Sequence, residues 1–176
     1  GWGITIERFT DPNLMVSEPA PAWDSGSPAG GEEDLGTPNE TFGGPGMGLA
    51  GEAGMPGENG TELGNVMQAT PGNTWWIVDF SSSTCVHSID LLDVDVSELE
   101  AQVILFDVNV QTIATFTSAG LGDNSVETLD LGGTCGVFVV MIDFYGPGGW
   151  DNLNVCVDPS AEDEVWILVG SPNVHS

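Results

Sequence analysis

Residues 2–9 alternate in the manner of a strand, with Ile4 and Ile6 on one side and Thr5 and Glu7 on the other. The same grammar returns after residue 73. Residues 75–80, 86–96, 101–108, 112–117, 126–131, 136–145 and 151–157 are short runs rich in Val, Ile, Phe and Thr, separated by Gly, Asn, Asp and Ser. Such runs predict strands, because β-branched and aromatic side chains fit a pleated surface and the separators supply turns. Seven of them at this spacing predict an all-β, antiparallel β-sandwich of the jelly-roll kind. Residues 137–144 are apolar on both faces except at Asp143. One face is therefore expected against the opposite sheet and the other beneath a long loop or a partner.

Between residues 17 and 64 the strand pattern stops. Gly and Pro recur every few positions, interrupted by Asp24, Glu32, Glu33, Asp34, Glu40, Glu52, Glu58 and Glu62. This composition alone reads as a linker. Inside a domain spanning 1–158 it reads as a long Gly/Pro-rich acidic loop that metal ions, the domain body or a neighbouring chain must tie down. Gly at 48, 51, 54, 57 and 60 has a collagen-like period, but the stretch is too short for a triple helix.

Beyond residue 158 an acidic spacer leads to Val165, Trp166, Ile167, Leu168 and Val169. A free apolar strand is an aggregation hazard, so burial is expected, either at an edge of its own sheet or in a neighbouring subunit. The second arrangement is strand exchange, and repeated head to tail it builds a homopolymeric filament. The N-terminal strand, with Trp2, Ile4 and Ile6, is the other candidate donor.

Charge narrows the partners. There are 27 Asp and Glu against one Arg and no Lys, a formal charge of -26 over 176 residues. Without a cationic patch the chain cannot release counterions from phosphates, which excludes nucleic acid and anionic membrane surfaces as natural partners. No run of 18 apolar residues exists, so no helical membrane insertion is expected. The chain opens at Gly1 rather than Met, which suggests a processed or trimmed terminus. Clustered acids separated by glycines suit Ca2+, which takes six to eight oxygens at irregular angles. A solvated acidic surface is the simpler alternative.

Three cysteines, Cys85, Cys135 and Cys156, lack the spacing of a zinc site. Cys85 and Cys135 both precede apolar runs and share parity with the inward residues, which favours a bridge between them, with Cys156 the alternative partner. Closing such a loop stabilises by about 4 kcal/mol in the chain-entropy model and implies an extracellular or cell-surface setting. Catalysis finds little to work with: His87 and His175 are the only imidazoles, and no G-x-S-x-G elbow is present. A non-enzymatic module is expected. Asn39-Glu40-Thr41 and Asn59-Gly60-Thr61 match the N-glycosylation acceptor. Six Trp, among them Trp23, Trp75, Trp76 and Trp150 near loops or strand ends, keep glycan stacking open as a partner interaction.

Residues 23–38, Leu63-Gly64-Asn65-Val66, residues 88–95 and Gly149-Trp150-Asp151-Asn152-Leu153 together resemble a domain recurrent in secreted and surface-attached bacterial proteins. That family is similar to the calcium-binding jelly rolls of carbohydrate-binding modules, and the resemblance spans about residues 2–157. It implies Asp24, Asp34 and Asp151 as calcium ligands, with Asn152 as a further one. The expected function is a secreted, calcium-stabilised structural subunit that assembles by terminal-strand exchange into a filament or surface layer. The alternative is a carbohydrate-binding module.

Overall fold

The computed structural model describes residues 3–10, 13, 17, 22–24, 65–69, 73–94, 101–121 and 125–160. Eight strands run through them: β1 (Ile4–Phe9), β2 (Ala22–Asp24), β3 (Asn65–Ala69), β4 (Thr74–Leu92), β5 (Gln102–Phe106), β6 (Thr112–Thr117), β7 (Val126–Phe144) and β8 (Gly148–Val157). All pairings are antiparallel, in the order β2-β3-β8-β4-β7-β5-β6, with β1 also on β4.

The long strands organise the molecule. The first part of β4 pairs with β1 and with the end of β7; its second part pairs with β8 and with the start of β7. The β4–β7 ladder slips between Asp79 and Thr84, between Thr84 and Val86, and between Val86 and Ser88. Bulges of this kind bend strands and raise their twist. The continuous sheet thereby folds into two layers, β1-β4-β7-β5-β6 and β2-β3-β8-β4-β7, which is the expected all-β sandwich.

Between the layers lies one core. Trp76, Val78, Val103, Leu105, Val140 and Ile142 come from the first layer, and Val86, Ile89, Leu91, Leu131 and Trp150 from the second; all are buried in one cluster. Trp76 and Trp150 meet edge to face with ring centroids 5.8 Å apart, tying the layers together.

Two strands expected as separate in each case are continuous here. Residues 75–80 and 86–96 fall largely within β4, while 126–131 and 136–145 merge into β7. Pairing survives the intervening Ser and Gly because Gly132, Gly133 and Gly136 take positive φ of 70°, 62° and 81°, a conformation that glycine adopts without a Cβ clash. In the run 137–144, Val137, Val140, Ile142 and Phe144 are buried in the core, while Val139 and Met141 on the outer face are half-buried. Asp143 shares that outer face yet is only 7% exposed. Burial pushes its carboxyl above the ordinary value, against hydrogen bonds from Tyr145 and Trp75 that favour the charged form.

Candidate functional site

Bulges also build the site. Between the pairs Val86↔Val155 and Ser88↔Asn154, strand β4 carries one extra residue, His87. That insertion flips the facing of β4: Trp76, Val78, Phe80 and Val86 point inward before it, Ile89 and Leu91 after it. Ser88 and Asp90 are thereby turned to the outer face of the second layer. Between Ser88↔Asn154 and Asp90↔Asp151 the extra residue lies instead on β8, where Asn152 takes a positive φ of 50°. Asn is among the few non-glycine residues that enter this region readily.

An open groove of about 530 Å3 results, lined by Ser88, Asp90, Thr128, Asn152, Leu153 and Asn154. Asp90 is held from both sides: the Thr128 hydroxyl donates to its Oδ1 at 2.6 Å, and Asn152 Nδ2 donates to its Oδ2 at 2.8 Å. An ionised carboxylate accepts at about four positions, so lone pairs remain available on both oxygens. Asp151 pairs with Asp90 across the ladder without lining the groove. Burial first, and then the charge of Asp90, raise its pKa, while the backbone N–H of Asn152 pulls the other way. Asp130, paired with Ser88, accepts the backbone N–H of Gly132 at 2.8 Å.

At the corner where the layers meet, Cys85 and Cys135 form a disulfide that joins β4 to β7. Cys156 is a free, exposed thiol on β8, opposite Cys85 in the ladder. His87 Nε2 lies 3.2 Å from its sulfur. Asp158 caps the corner, accepting from Ser160 and Ser83 hydroxyls and from the backbone N–H groups of Ser160 and Gly136. These bonds, the Ser160 hydroxyl foremost, hold its carboxyl down to about 2.

Of the ligands implied by resemblance, Asn152 lines the groove, whereas its chain neighbour Asp151 pairs with Asp90 in the ladder outside it. Asp24 belongs to β2, where its backbone pairs with Asn65. Asp34 lies outside the described residues, as do the acceptors Asn39 and Asn59, Trp2, and Val165, Trp166, Ile167, Leu168 and Val169. Among the described residues the one group of three potential metal ligands within mutual reach is Cys85, Cys135 and Asp158, and two of these are bonded to each other. Ile4 and Ile6 pair with Phe80 and Val78 of their own chain. Asp90 and His87, by contrast, sit in a run whose alternation marks neither as a site residue. The bulges that give both their settings leave no mark in a period of two.

No family model and no curated protein matches the chain. Among solved structures, it is similar to a Streptococcus pneumoniae fucose binding module at 19% identity and a TM-score of 0.34, over 48% of this chain and 68% of that one. A second such module, SpX-3, aligns at 19% identity and 0.36, over 51% and 73%. The lectin domain of lectinolysin, complexed with Lewis B antigen, aligns at 16% identity and 0.39, over 53% and 72%. Scores and identities this low carry those ligands no further than those proteins.

Proposed function

We propose that the protein is an extracellular, non-catalytic carbohydrate-binding module whose ligand lies in the groove of Ser88, Asp90, Thr128, Asn152 and Asn154. The observation that carries this reading is Asp90, fixed between Thr128 and Asn152 before any ligand arrives. Sugar hydroxyls both donate and accept, and they are bound best by carboxylates and carboxamides whose orientation is already set, since ordering them costs affinity. The groove supplies a carboxylate, two carboxamides and two hydroxyls on one open surface.

Charge refines the class of ligand. With a formal charge of -26 and Asp90 in the groove, sulfated, sialylated or uronic saccharides are repelled. Neutral or amino sugars fit. Glycoside hydrolysis by paired carboxylates needs two acids across the scissile bond, and among the described residues Asp90 is the one acid lining the groove. The Cys85–Cys135 bond supports an oxidising compartment, and among the described residues no helix is long and apolar enough to cross a membrane. Calcium belongs to the same proposal as a stabilising ion. Asp151 beside Asp90, with the carboxamide oxygen of Asn152 adjacent in sequence, offers the hard oxygens it takes.

A glycan array followed by calorimetry tests the reading. Binding to a neutral or amino saccharide is expected, with Asp90→Ala weakening it about tenfold or more, the usual effect of losing a charged hydrogen bond. Absence of binding to any saccharide, or unchanged affinity in Asp90→Ala, overturns it.

A further inference from the structure

We infer that the corner carries an intramolecular thiol–disulfide exchange centre, in which Cys156 attacks the Cys85–Cys135 bond with His87 as its base. Four observations converge there. Cys156 is the direct ladder partner of Cys85, and cross-strand partners in an antiparallel pair have Cα atoms about 4.5–5.5 Å apart, inside the range a disulfide spans. Its thiol is free and exposed. His87 Nε2 lies 3.2 Å from that sulfur. The imidazole has room because the facing residue is Gly133: a Cβ there would come within 3.2 Å of His87 Nδ1 and 3.3 Å of Cε1.

The exchange balances without an outside oxidant or reductant. The Cys156 thiol gives its proton to His87 Nε2, and its sulfur forms a bond to Cys85 Sγ. The Cys85–Cys135 bond breaks, its electron pair leaves on Cys135 Sγ, and that thiolate takes up a proton. One disulfide and one thiol are present before and after. The cross-link moves from β4–β7 to β4–β8, and the freed thiol is that of Cys135, an exposed residue.

Asp158 sets the resting state. A carboxylate oxygen of Asp158 and the sulfurs of Cys85 and Cys135 all lie within 4.8 Å of one another. An anion at that distance disfavours negative charge on a departing Cys135 sulfur, whereas Cys156 faces a proton acceptor. The Cys85–Cys135 bond is accordingly the favoured isomer and Cys85–Cys156 the minor one, and neutralising Asp158 shifts the balance.

Peptide mapping decides the matter. Oxidised protein without added thiol is held at about pH 8, where thiolates form, quenched in acid, blocked with N-ethylmaleimide and digested. A Cys85–Cys156 peptide with blocked Cys135 is expected beside the resting pair. His87→Ala should slow its appearance about tenfold, Asp158→Asn should raise its share, and Cys156→Ser should abolish it. A protein in which only Cys156 is ever blocked overturns the exchange, and an unchanged rate in His87→Ala overturns the role of the histidine. Cys135→Ser provides a separate check: in a glutathione buffer it should close Cys85–Cys156, and two blockable thiols in a variant that keeps its native near-UV tryptophan signal overturn the proposed geometry.

Discussion

Asp143 shows how one residue stores a pH response. Its carboxyl is buried on the outer side of β7, its Oδ1 has no hydrogen-bond partner, and desolvation raises its pKa. A carboxylic acid whose folded pKa exceeds its unfolded one stabilises the fold while protonated, and that contribution fades as pH rises through the raised value. Asp143→Asn keeps the shape and removes the titration. The variant should therefore show a flatter dependence of melting temperature on pH between about 4 and 7 than the parent. Equal slopes in the two proteins would assign the effect elsewhere. The sequence marked Asp143 only as a break in an apolar run; Tyr145, two residues on, and Trp75, its partner across the ladder, hydrogen-bond to it, and the second of these no local pattern connects to it.

At the scale of elements, the turn between β7 and β8 and the corner disulfide are the points where one atom decides. Gly148 begins β8 at a φ of 148°, and a Cβ there would sit 2.9 Å from the Leu92 carbonyl oxygen and 3.2 Å from the Phe144 ring. Backbone cannot yield as a side-chain tip can, so Gly148→Ala should cost about 1–3 kcal/mol in urea unfolding. Loss of less than about 0.5 kcal/mol, the range of an ordinary surface change, would mean that the turn adapts. Cys85→Ser removes the Cys85–Cys135 bridge and, with it, the alternative bridge proposed above. With the bonded cysteines 50 positions apart in sequence it should cost about 4 kcal/mol, measured under oxidising conditions against the parent. Strand positions and the sandwich class were legible because they depend on alternation, which sequence preserves. The expected Cys85–Cys135 pairing is also present, although Cys135 is exposed and the bulge at His87 separates Cys85 from the inward residues Ile89 and Leu91. The fusion of runs into β4 and β7, the short strands β2 and β3, and the groove were not legible. Each rests on a bulge or a long-range register, and a single inserted residue such as His87 or Asn152 changes which face every later side chain takes.

For the whole molecule the question is how a chain of charge -26 stays compact, and the titrating acids give opposite answers on the two sides of their ordinary pKa of 3.8. Asp79, Asp143 and Asp151 are raised, each chiefly by burial, with Glu7 adding to Asp79 and Asp90 to Asp151. Their contribution is complete below the ordinary value and is lost as pH climbs through the raised ones. Asp158, held down to about 2 by the Ser160 and Ser83 hydroxyls and by backbone N–H groups, and Asp107, lowered by the backbone N–H groups of Gln111 and Asn109, act in reverse. Their contribution is present above the ordinary value and is lost as pH falls through the lowered ones. General repulsion among carboxylates adds to the first group, since it too grows with pH. Calorimetry at constant ionic strength should therefore find the melting temperature rising from pH 7 to a maximum at about pH 4–5 and dropping steeply below about pH 3. Millimolar Ca2+ at pH 7 should recover part of that rise beyond what Na+ of equal ionic strength provides, because an ion bound only to the folded state stabilises it by mass action. Asp151→Asn should lose the calcium increment and keep the salt increment. A melting temperature that falls steadily from pH 7 downward would show that the ordinary, hydrogen-bonded carboxylates outweigh the buried ones. Equal responses to Ca2+ and Na+ would reduce the role of cations to screening.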